Sequence, residues 1–242
     1  MRLRTIGALL LAFSVILGIA TTSAEAVQPT TSITATVKVA KAWLKGLKTG
    51  TLNNVAYSRT ANFGTAWVDV DANGCKTRDD ILIRDLTGEV IGASCHVMSG
   101  VLKDPYTGRK INFVRGVGSS LAVQIDHVIP LHLAWQLGAN KWSFGKRVAF
   151  ANDPVNLIAT DGPTNGAKSD SGPDTWLPPN TKYRCTYVIR LIRVAYLYQV
   201  PVTKAMKSTM SSVLNRCTVI YGKPTLIKAL PASVYNYAAS IG

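Results

Sequence analysis

The segment Gln124–Pro130, QIDHVIP, most constrains the fold, because an apolar run ends there in an acid followed directly by a histidine. Downstream, Asn156 lies in a second apolar stretch, and Asn165 follows the turn Asp161-Gly162-Pro163. We expect a strand over residues 121–126, a helix over 131–137, a second strand over 154–159 and a short helix from Thr164. Two strands and a helix would then carry the polar residues.

These polar residues supply the groups of a hydrolytic site. Asp126 and Asn165 offer oxygen atoms, which hard divalent cations prefer. A neutral imidazole at His127 can take a proton from water near neutral pH, because the ordinary pKa of histidine is near 6.5. An Asp-His dipeptide alone is usually a surface or capping pair, and lone asparagines are ordinary turn residues. Order, spacing and placement on strands and helix together favour phosphodiester hydrolysis.

The first residues have the pattern of an export signal. Arg2 and Arg4 precede an apolar stretch over residues 6–20, and Ala24-Glu25-Ala26 has the small-x-small pattern of a cleavage site. The stretch is too short to favour a permanent membrane anchor. We expect a signal peptide over residues 1–26, a flexible lead-in over 27–36 and a secreted domain over 37–242 with no membrane segment.

The four cysteines fit an exported protein, in which an even number favours disulfides. Three pairings are possible. Local pairing of Cys75 with Cys95 and of Cys185 with Cys217 closes the shortest loops, and each bond would contribute about 3 kcal/mol. A zinc site is disfavoured because the chain contains no Cys-x-x-Cys pair.

The charge is strongly positive and unevenly distributed. The formal net charge is +14, and residues 175–242 contain nine Lys and Arg but no Asp or Glu. Such a field attracts polyanions through phosphate contacts and counterion release. Adhesion to an anionic cell wall, or simple solubility, explains the charge equally well.

The remaining pattern predicts a mixed domain. We expect helices over residues 37–47, 77–86, 183–199 and 202–216, and strands over 90–102 and 110–114. The chain has no internal repeat and no linker long enough to divide it. A single α+β domain of this size can bury a sufficient core, especially with two disulfides.

The order of strand with Asp-His, strand with Asn and helix with a further ligand resembles the HNH nuclease motif. The chain is similar to secreted bacterial HNH endonuclease family proteins, related to the C-terminal nuclease domain of GmrSD-type restriction enzymes. The tight match covers residues 125–168, and a looser one covers 57–176. The resemblance implies a ββα-metal (HNH, or His-Me finger) core at about residues 121–170, wrapped by helices.

The resemblance also implies roles for single residues. His127 would be the general base, and Asp126 and Asn165 would hold the metal. Asn156 would brace the loop under the base, and Lys168 would contact a phosphate. The implied cofactor is a divalent metal, Mg²⁺ with Mn²⁺ as the alternative, and histidine often stands in relatives where this chain has Asn165.

Other polar residues have less specific readings. Arg59, Arg78 and Arg109 are candidates for phosphate contact, because guanidinium groups match phosphate oxygens. We expect His132 to be structural or solvent-facing, and His96 to pack beside Cys95. Arg190 and Arg193 are expected to form the polar face of a helix. Four tryptophans are expected to form core or pocket walls: Trp67, Trp135, Trp142 and Trp176.

We therefore expect an exported endonuclease acting on DNA, with RNA as a further candidate, and with little sequence selectivity because no base-reading module is visible. No obligate protein partner is evident. The alternative is a catalytically silent basic module that binds extracellular nucleic acid or wall polymer. A toxin would share the chemistry and need an immunity partner. A wall hydrolase would need a carboxylate pair or zinc set, and we find neither in the sequence.

Overall fold

The structure, a computed structural model, describes residues 33–242, which belong to one compact unit. The expected signal peptide and residues 27–32 of the expected lead-in lie outside this range. The helices and strands within it are α1 Ile33–Gly46, α2 Arg59–Phe63, α3 Thr77–Asp85, β1 Leu86–Ile91, β2 Val97–Lys103, β3 Lys110–Val114, β4 Val123–His127, α4 Leu131–Gln136, α5 Phe144–Asn152, β5 Leu157–Asp161, α6 Gly162–Lys168, α7 Arg184–Tyr198, α8 Lys204–Asn215 and α9 Tyr235–Ile241.

The strands form two separate antiparallel sheets. The strand order is β1-β2-β3 in the first, and β4 pairs with β5 in the second. Helix α3 packs with both sheets around one apolar cluster that includes Leu82, Phe113 and Ile125. Mixed helices and sheets in one disulfide-stapled domain confirm the expected α+β class.

The largest apolar cluster surrounds α7, which buries most of its length. Helices α1 and α8 pack beside it, and α5 packs against α9 in a third cluster. Within residues 33–242 no helix is both long and apolar enough to span a membrane.

Both disulfides join the expected partners, Cys75 with Cys95 and Cys185 with Cys217. The first links the segment before α3 to the turn between β1 and β2. The second links the start of α7 to the segment after α8. The local pairing predicted from the sequence is confirmed.

Several predicted boundaries are wrong. The strand expected over residues 90–102 is divided by a turn in which Ser94 and Cys95 have positive φ, 52° and 61°. Residues 33–36, expected in the lead-in, begin α1. The second strand of the hairpin begins at Leu157, so Asn156 lies in the turn before it. Helices α5 and α9 were not predicted.

Arg190 also departs from the prediction. It is buried rather than surface-exposed, and it donates to the carbonyls of Val155 at 2.9 Å, Pro154 at 2.8 Å and Leu157. Arg84, in α3, also donates to the Pro154 and Leu157 carbonyls, at 2.8 and 2.7 Å. Two arginines therefore fix the turn that carries Asn156, since a buried guanidinium requires acceptors.

Candidate active site

The β4–β5 hairpin brings the acid, the histidine and the asparagine turn together. Asp126 pairs with Ile158 and His127 with Leu157 in the antiparallel register. Asp126, His127 and Asn165 border one cleft of about 250 Å³. The three side chains on which the predicted chemistry depends thus meet at one opening.

His127 is held by the backbone of α5. Its Nε2 lies 2.8 Å from the carbonyl oxygen of Ala151. Because a carbonyl only accepts, we assign the ring hydrogen to Nε2, which leaves the lone pair on Nδ1. Burial lowers the pKa of His127 to about 3, and the nearby charges of Arg59 and Lys168 act in the same direction. The imidazole is therefore neutral at physiological pH, and its pKa lies below the value near 6.5 expected from the sequence, which makes it a weaker base than an exposed histidine.

Trp67 forms a second constraint on the histidine. The two rings stack with centroids 6.0 Å apart and planes 12° from parallel. His127 keeps part of its surface exposed. The ring is consequently fixed in orientation while the residue still borders the cleft.

Asp126 is buried and accepts two strong hydrogen bonds. The Tyr106 hydroxyl donates to Oδ2 at 2.5 Å, and the Lys168 ammonium donates to Oδ1 at 2.9 Å. Burial, followed by the charge of Asp126, raises the pKa of Tyr106 well above its usual value, so the phenol remains a donor. Each carboxylate oxygen retains a further lone pair for another partner.

Lys168 is fully buried at the end of α6. Besides Asp126, its ammonium donates to the carbonyl of His127 at 2.8 Å. The Lys168 ammonium therefore links the Asp126 side chain to the His127 backbone. These contacts join β4 to α6, and because the side chain is fully buried, the phosphate contact expected for Lys168 is not accessible in this structure.

Asn165 lies in the second turn of α6 and faces Gln124 at the start of β4. Its Nδ2 donates to the Gln124 Oε1 at 2.9 Å. This bond orients the amide so that Oδ1 remains available as an oxygen ligand. Asp161 caps the same helix by accepting from the backbone N–H of Thr164 at 2.8 Å.

Asn156 is buried and ties three backbone segments together. Its Oδ1 accepts from the Ile129 N–H at 2.9 Å, and its Nδ2 donates to the carbonyls of Ile129 and Phe150. Phe150 immediately precedes Ala151, whose carbonyl holds the imidazole. Asn156 therefore fixes the loop after β4 relative to the end of α5.

The rim of the cleft carries a second histidine. His132 lies in the first turn of α4, with Nδ1 2.9 Å from the Asp170 Oδ2 and its ring stacked on Tyr57 at 4.6 Å. Arg59 borders the same cleft and donates to the Gly64 carbonyl at 2.8 Å. The cleft thus has a cationic guanidinium at its edge.

The other two arginines of the prediction lie elsewhere. Arg78 donates to the Val123 carbonyl at 3.2 Å, at the start of β4. Arg109 is exposed and lines a different cavity, beside α6. Arg59 alone among the three borders the cleft with His127.

Comparison with known proteins identifies a family for this chain. The model of the family described as GmrSD restriction endonucleases, C-terminal domain, matches residues 76–213, more than half of the chain.

The chain belongs to this family.

A relative from Arthroderma benhamiae, called an uncharacterized secreted protein, is 40% identical over 153 residues, which are 62% of this chain and 72% of the relative. No solved structure matches the chain.

The family match confirms the resemblance inferred from the sequence. It includes the hairpin, α6 and the candidate residues from Arg78 to Lys168, whereas Arg59 lies before it. Nucleases of the HNH type generally depend on a divalent metal, and the oxygen atoms of Asp126 and Asn165 suit a hard cation.

The donor set favours a weakly held cation. Within residues 33–242 there is no cluster of three or more His, Cys, Asp or Glu suited to a metal. Asp126 already balances the charge of Lys168. Mg²⁺ is commonly bound by one or two carboxylates together with water and substrate phosphates. The residues fit such a site and do not fit a closed zinc site.

Several contacts of the site were not predicted. No local sequence pattern indicates the Ala151 carbonyl contact, the Trp67 stacking or the Lys168–Asp126 pair, because each contact joins segments that are distant along the chain. Tyr106 belongs to a stretch that resembles the family, but its role became visible only through its bond to Asp126. His96, expected to be packing, instead has Nδ1 3.3 Å from the Asp79 Oδ2.

Proposed function

We propose that this chain is an exported, metal-dependent endonuclease that hydrolyses phosphodiester bonds of DNA, and of RNA as a further substrate. β4, β5 and α6 would form a ββα-metal core. The observation that carries the proposal is that His127, held by the Ala151 carbonyl, borders one cleft with Asp126 and Asn165. Membership of a restriction endonuclease domain family supports the same chemistry.

His127 would activate water. With Nε2 donating to the Ala151 carbonyl, the Nδ1 lone pair is the free proton acceptor. General-base catalysis of this kind contributes about 10²–10⁴-fold. Asn156 would keep this geometry by bracing the loop after β4.

Asp126 and Asn165 would hold a divalent cation, Mg²⁺ or Mn²⁺, which would supply charge stabilisation at the phosphate and the departing 3′ oxygen. Lys168 and Tyr106 would fix the orientation of the Asp126 carboxylate. Arg59, at the edge of the cleft, would contact a phosphate oxygen. Arg78 stays a candidate for flanking phosphate contact.

The two disulfides fit an extracellular protein, and the relative called secreted supports export. Attachment to a cell wall would be an electrostatic consequence of the acid-free region over residues 175–242. That region also favours the rival function, a silent module that binds nucleic acid without cutting it.

The test incubates the mature protein with supercoiled plasmid and with RNA, in Mg²⁺, Mn²⁺ or Zn²⁺ and in EDTA. We expect nicking with Mg²⁺ or Mn²⁺ and none in EDTA, while binding measured by gel shift persists in EDTA. Binding without cleavage under every metal would favour the silent module. Cleavage that is unaffected by EDTA would contradict metal dependence.

A further inference from the structure

A second cavity lies beside the cleft, on another flank of α6. Its volume is about 550 Å³, and Thr164 and Ala167 of α6 form one wall. Asn165, between them in sequence, borders the catalytic cleft. The two openings therefore share one short helix. A helix with its side chains is about 10–12 Å across.

Two arginines give this cavity a positive character. Arg109 is exposed, and Arg184 is half-buried. Within residues 33–242 neither guanidinium forms an ion pair. Arg184 uses one donor on the Pro178 carbonyl at 2.8 Å, which leaves its other N–H groups free for a ligand.

The single acid lining the cavity, Asp161, is engaged by Thr164 of the same wall. The Asp161 Oδ2 accepts from the backbone N–H and the hydroxyl of Thr164, at 2.8 and 2.5 Å. Its charge is thus held against the start of α6. The two arginines leave an excess positive charge, which matches a phosphate group, because a planar guanidinium can donate to two phosphate oxygens at once.

The remaining wall is apolar. Trp176 and Leu177 are partly exposed and line the cavity. Trp176 is held from behind by edge contacts with Tyr106 at 5.1 Å and Tyr187 at 5.6 Å. A fixed aromatic wall beside guanidinium groups is the combination that binds a base and its phosphate in single strands.

From this arrangement we propose that the cavity is a subsite for one unpaired nucleotide of the substrate strand, so that the enzyme favours single-stranded or frayed nucleic acid. The inference rests on the proposed nuclease function. The cavity falls in the range of about 300–1,000 Å³ that is typical of small-molecule sites, which suits one nucleotide rather than a duplex. A stacked strand rises about 3.4 Å per nucleotide, so about three nucleotides span α6 to the scissile phosphate.

The test measures binding in EDTA, where no cleavage occurs, by fluorescence anisotropy of a labelled 12-nucleotide single strand and the matching duplex. We expect wild-type protein to bind the single strand more tightly. Arg109→Ala should weaken single-strand binding about tenfold, as for a lost charged hydrogen bond. It should also reduce the slope of log affinity against log salt by about 0.7.

Lys38→Ala is the matched control, because it removes the same charge from an exposed position of α1, outside both the cavity and the acid-free region over residues 175–242. We expect it to leave single-strand binding unchanged. Ala167→Phe, at an exposed position of α6, fills the cavity without altering the core and should weaken binding of the single strand but not of the duplex. Circular dichroism establishes that each variant is folded.

Equal weakening by Arg109→Ala and Lys38→Ala would overturn the subsite, and so would a duplex bound as tightly as the single strand. These outcomes are distinct from failure of the nuclease proposal. That failure would appear as absence of metal-dependent cleavage in wild-type protein, with the binding pattern intact.

Discussion

Two buried aspartates of this protein look alike until their partners are compared. Asp126 and Asp153 each accept a hydrogen bond from a buried tyrosine hydroxyl, Tyr106 at 2.5 Å and Tyr198 at 2.7 Å. Asp126 also binds the Lys168 ammonium and borders the cleft with His127.

Asp153 is instead enclosed by backbone donors. The N–H groups of Val155 and Leu230 donate to it at 2.9 and 3.0 Å, and it is fully buried. Burial raises the pKa of Asp153, which its hydrogen bonds partly offset. Burial and a tyrosine partner therefore do not identify a catalytic acid. Asp126 differs from Asp153 in its access to the cleft and in its cationic partner, and on this basis we propose Asp126 as the functional carboxylate of the two.

The largest expected effect is on catalysis. Asp126→Asn should reduce plasmid cleavage by about 10²–10³-fold, the scale of losing one preorganised electrostatic group. Asp153→Asn should retain the cleavage rate per folded molecule but lower the free energy of unfolding by about 2 kcal/mol, because it disturbs a buried hydrogen-bonded carboxylate. Cleavage assays and urea titrations measure both. Equal losses of cleavage rate in Asp126→Asn and Asp153→Asn would show that the two carboxylates do not differ in function.

The next effect is on the stability that the Asp126–Lys168 ion pair gives to the fold. Lys168→Met leaves the buried Asp126 carboxylate without its cation and should lower the free energy of unfolding by about 3 kcal/mol. Lys182→Met, at an exposed position, serves as the control and should change stability little. Urea denaturation compares them. An unchanged midpoint for Lys168→Met would show that the ion pair does not contribute to the fold.

Removing the tyrosine hydroxyl that donates to each aspartate tests the same difference between Asp126 and Asp153. Tyr106→Phe and Tyr198→Phe should each lower the free energy of unfolding by about 1 kcal/mol, because each leaves a carboxylate with one donor fewer. Tyr106→Phe alone should also lower the cleavage rate, since it frees one side of Asp126. Reduced cleavage in Tyr198→Phe after correction for the folded fraction would contradict this assignment.

The smallest effect concerns pH. Because burial lowers the pKa of His127 to about 3, the base should stay neutral from pH 8 to pH 5, and kcat/KM should show no acid limb near pH 6.5. The unfolded chain binds this proton near pH 6.5, so the histidine's contribution to stability is lost as pH falls from there through about 3. Rate profiles and urea titrations across this range test both statements.

The parts of the fold that were predicted correctly have local signals. The ends of α7 and α8 follow helical spacing and the break at Pro201, and β3 was predicted with its observed bounds. The disulfide pairing followed from loop length. Helix α5 was missed although Ser143 caps it by accepting from the Lys146 N–H at 3.3 Å, because its apolar spacing alone was not distinctive.

Like the fold, the site contains residues that have local sequence signals and contacts that have none. Asp126, His127, Asn156 and Asn165 were selected from order and spacing along the chain, and the fold brings three of them to one cleft. Their partners could not be read from the sequence. Ala151, Tyr106 and Trp67 contact the site only through tertiary packing, and Arg190 is buried on a helix whose spacing suggested an exposed position.

The most direct test compares His127→Ala with wild-type protein in nicking of supercoiled plasmid with Mg²⁺. We predict that the variant folds, with circular dichroism like that of the wild type, and nicks at least about a hundredfold more slowly, as expected for loss of a general base. Nicking by the folded variant at the wild-type rate would contradict the assignment of this cleft as a phosphodiesterase site.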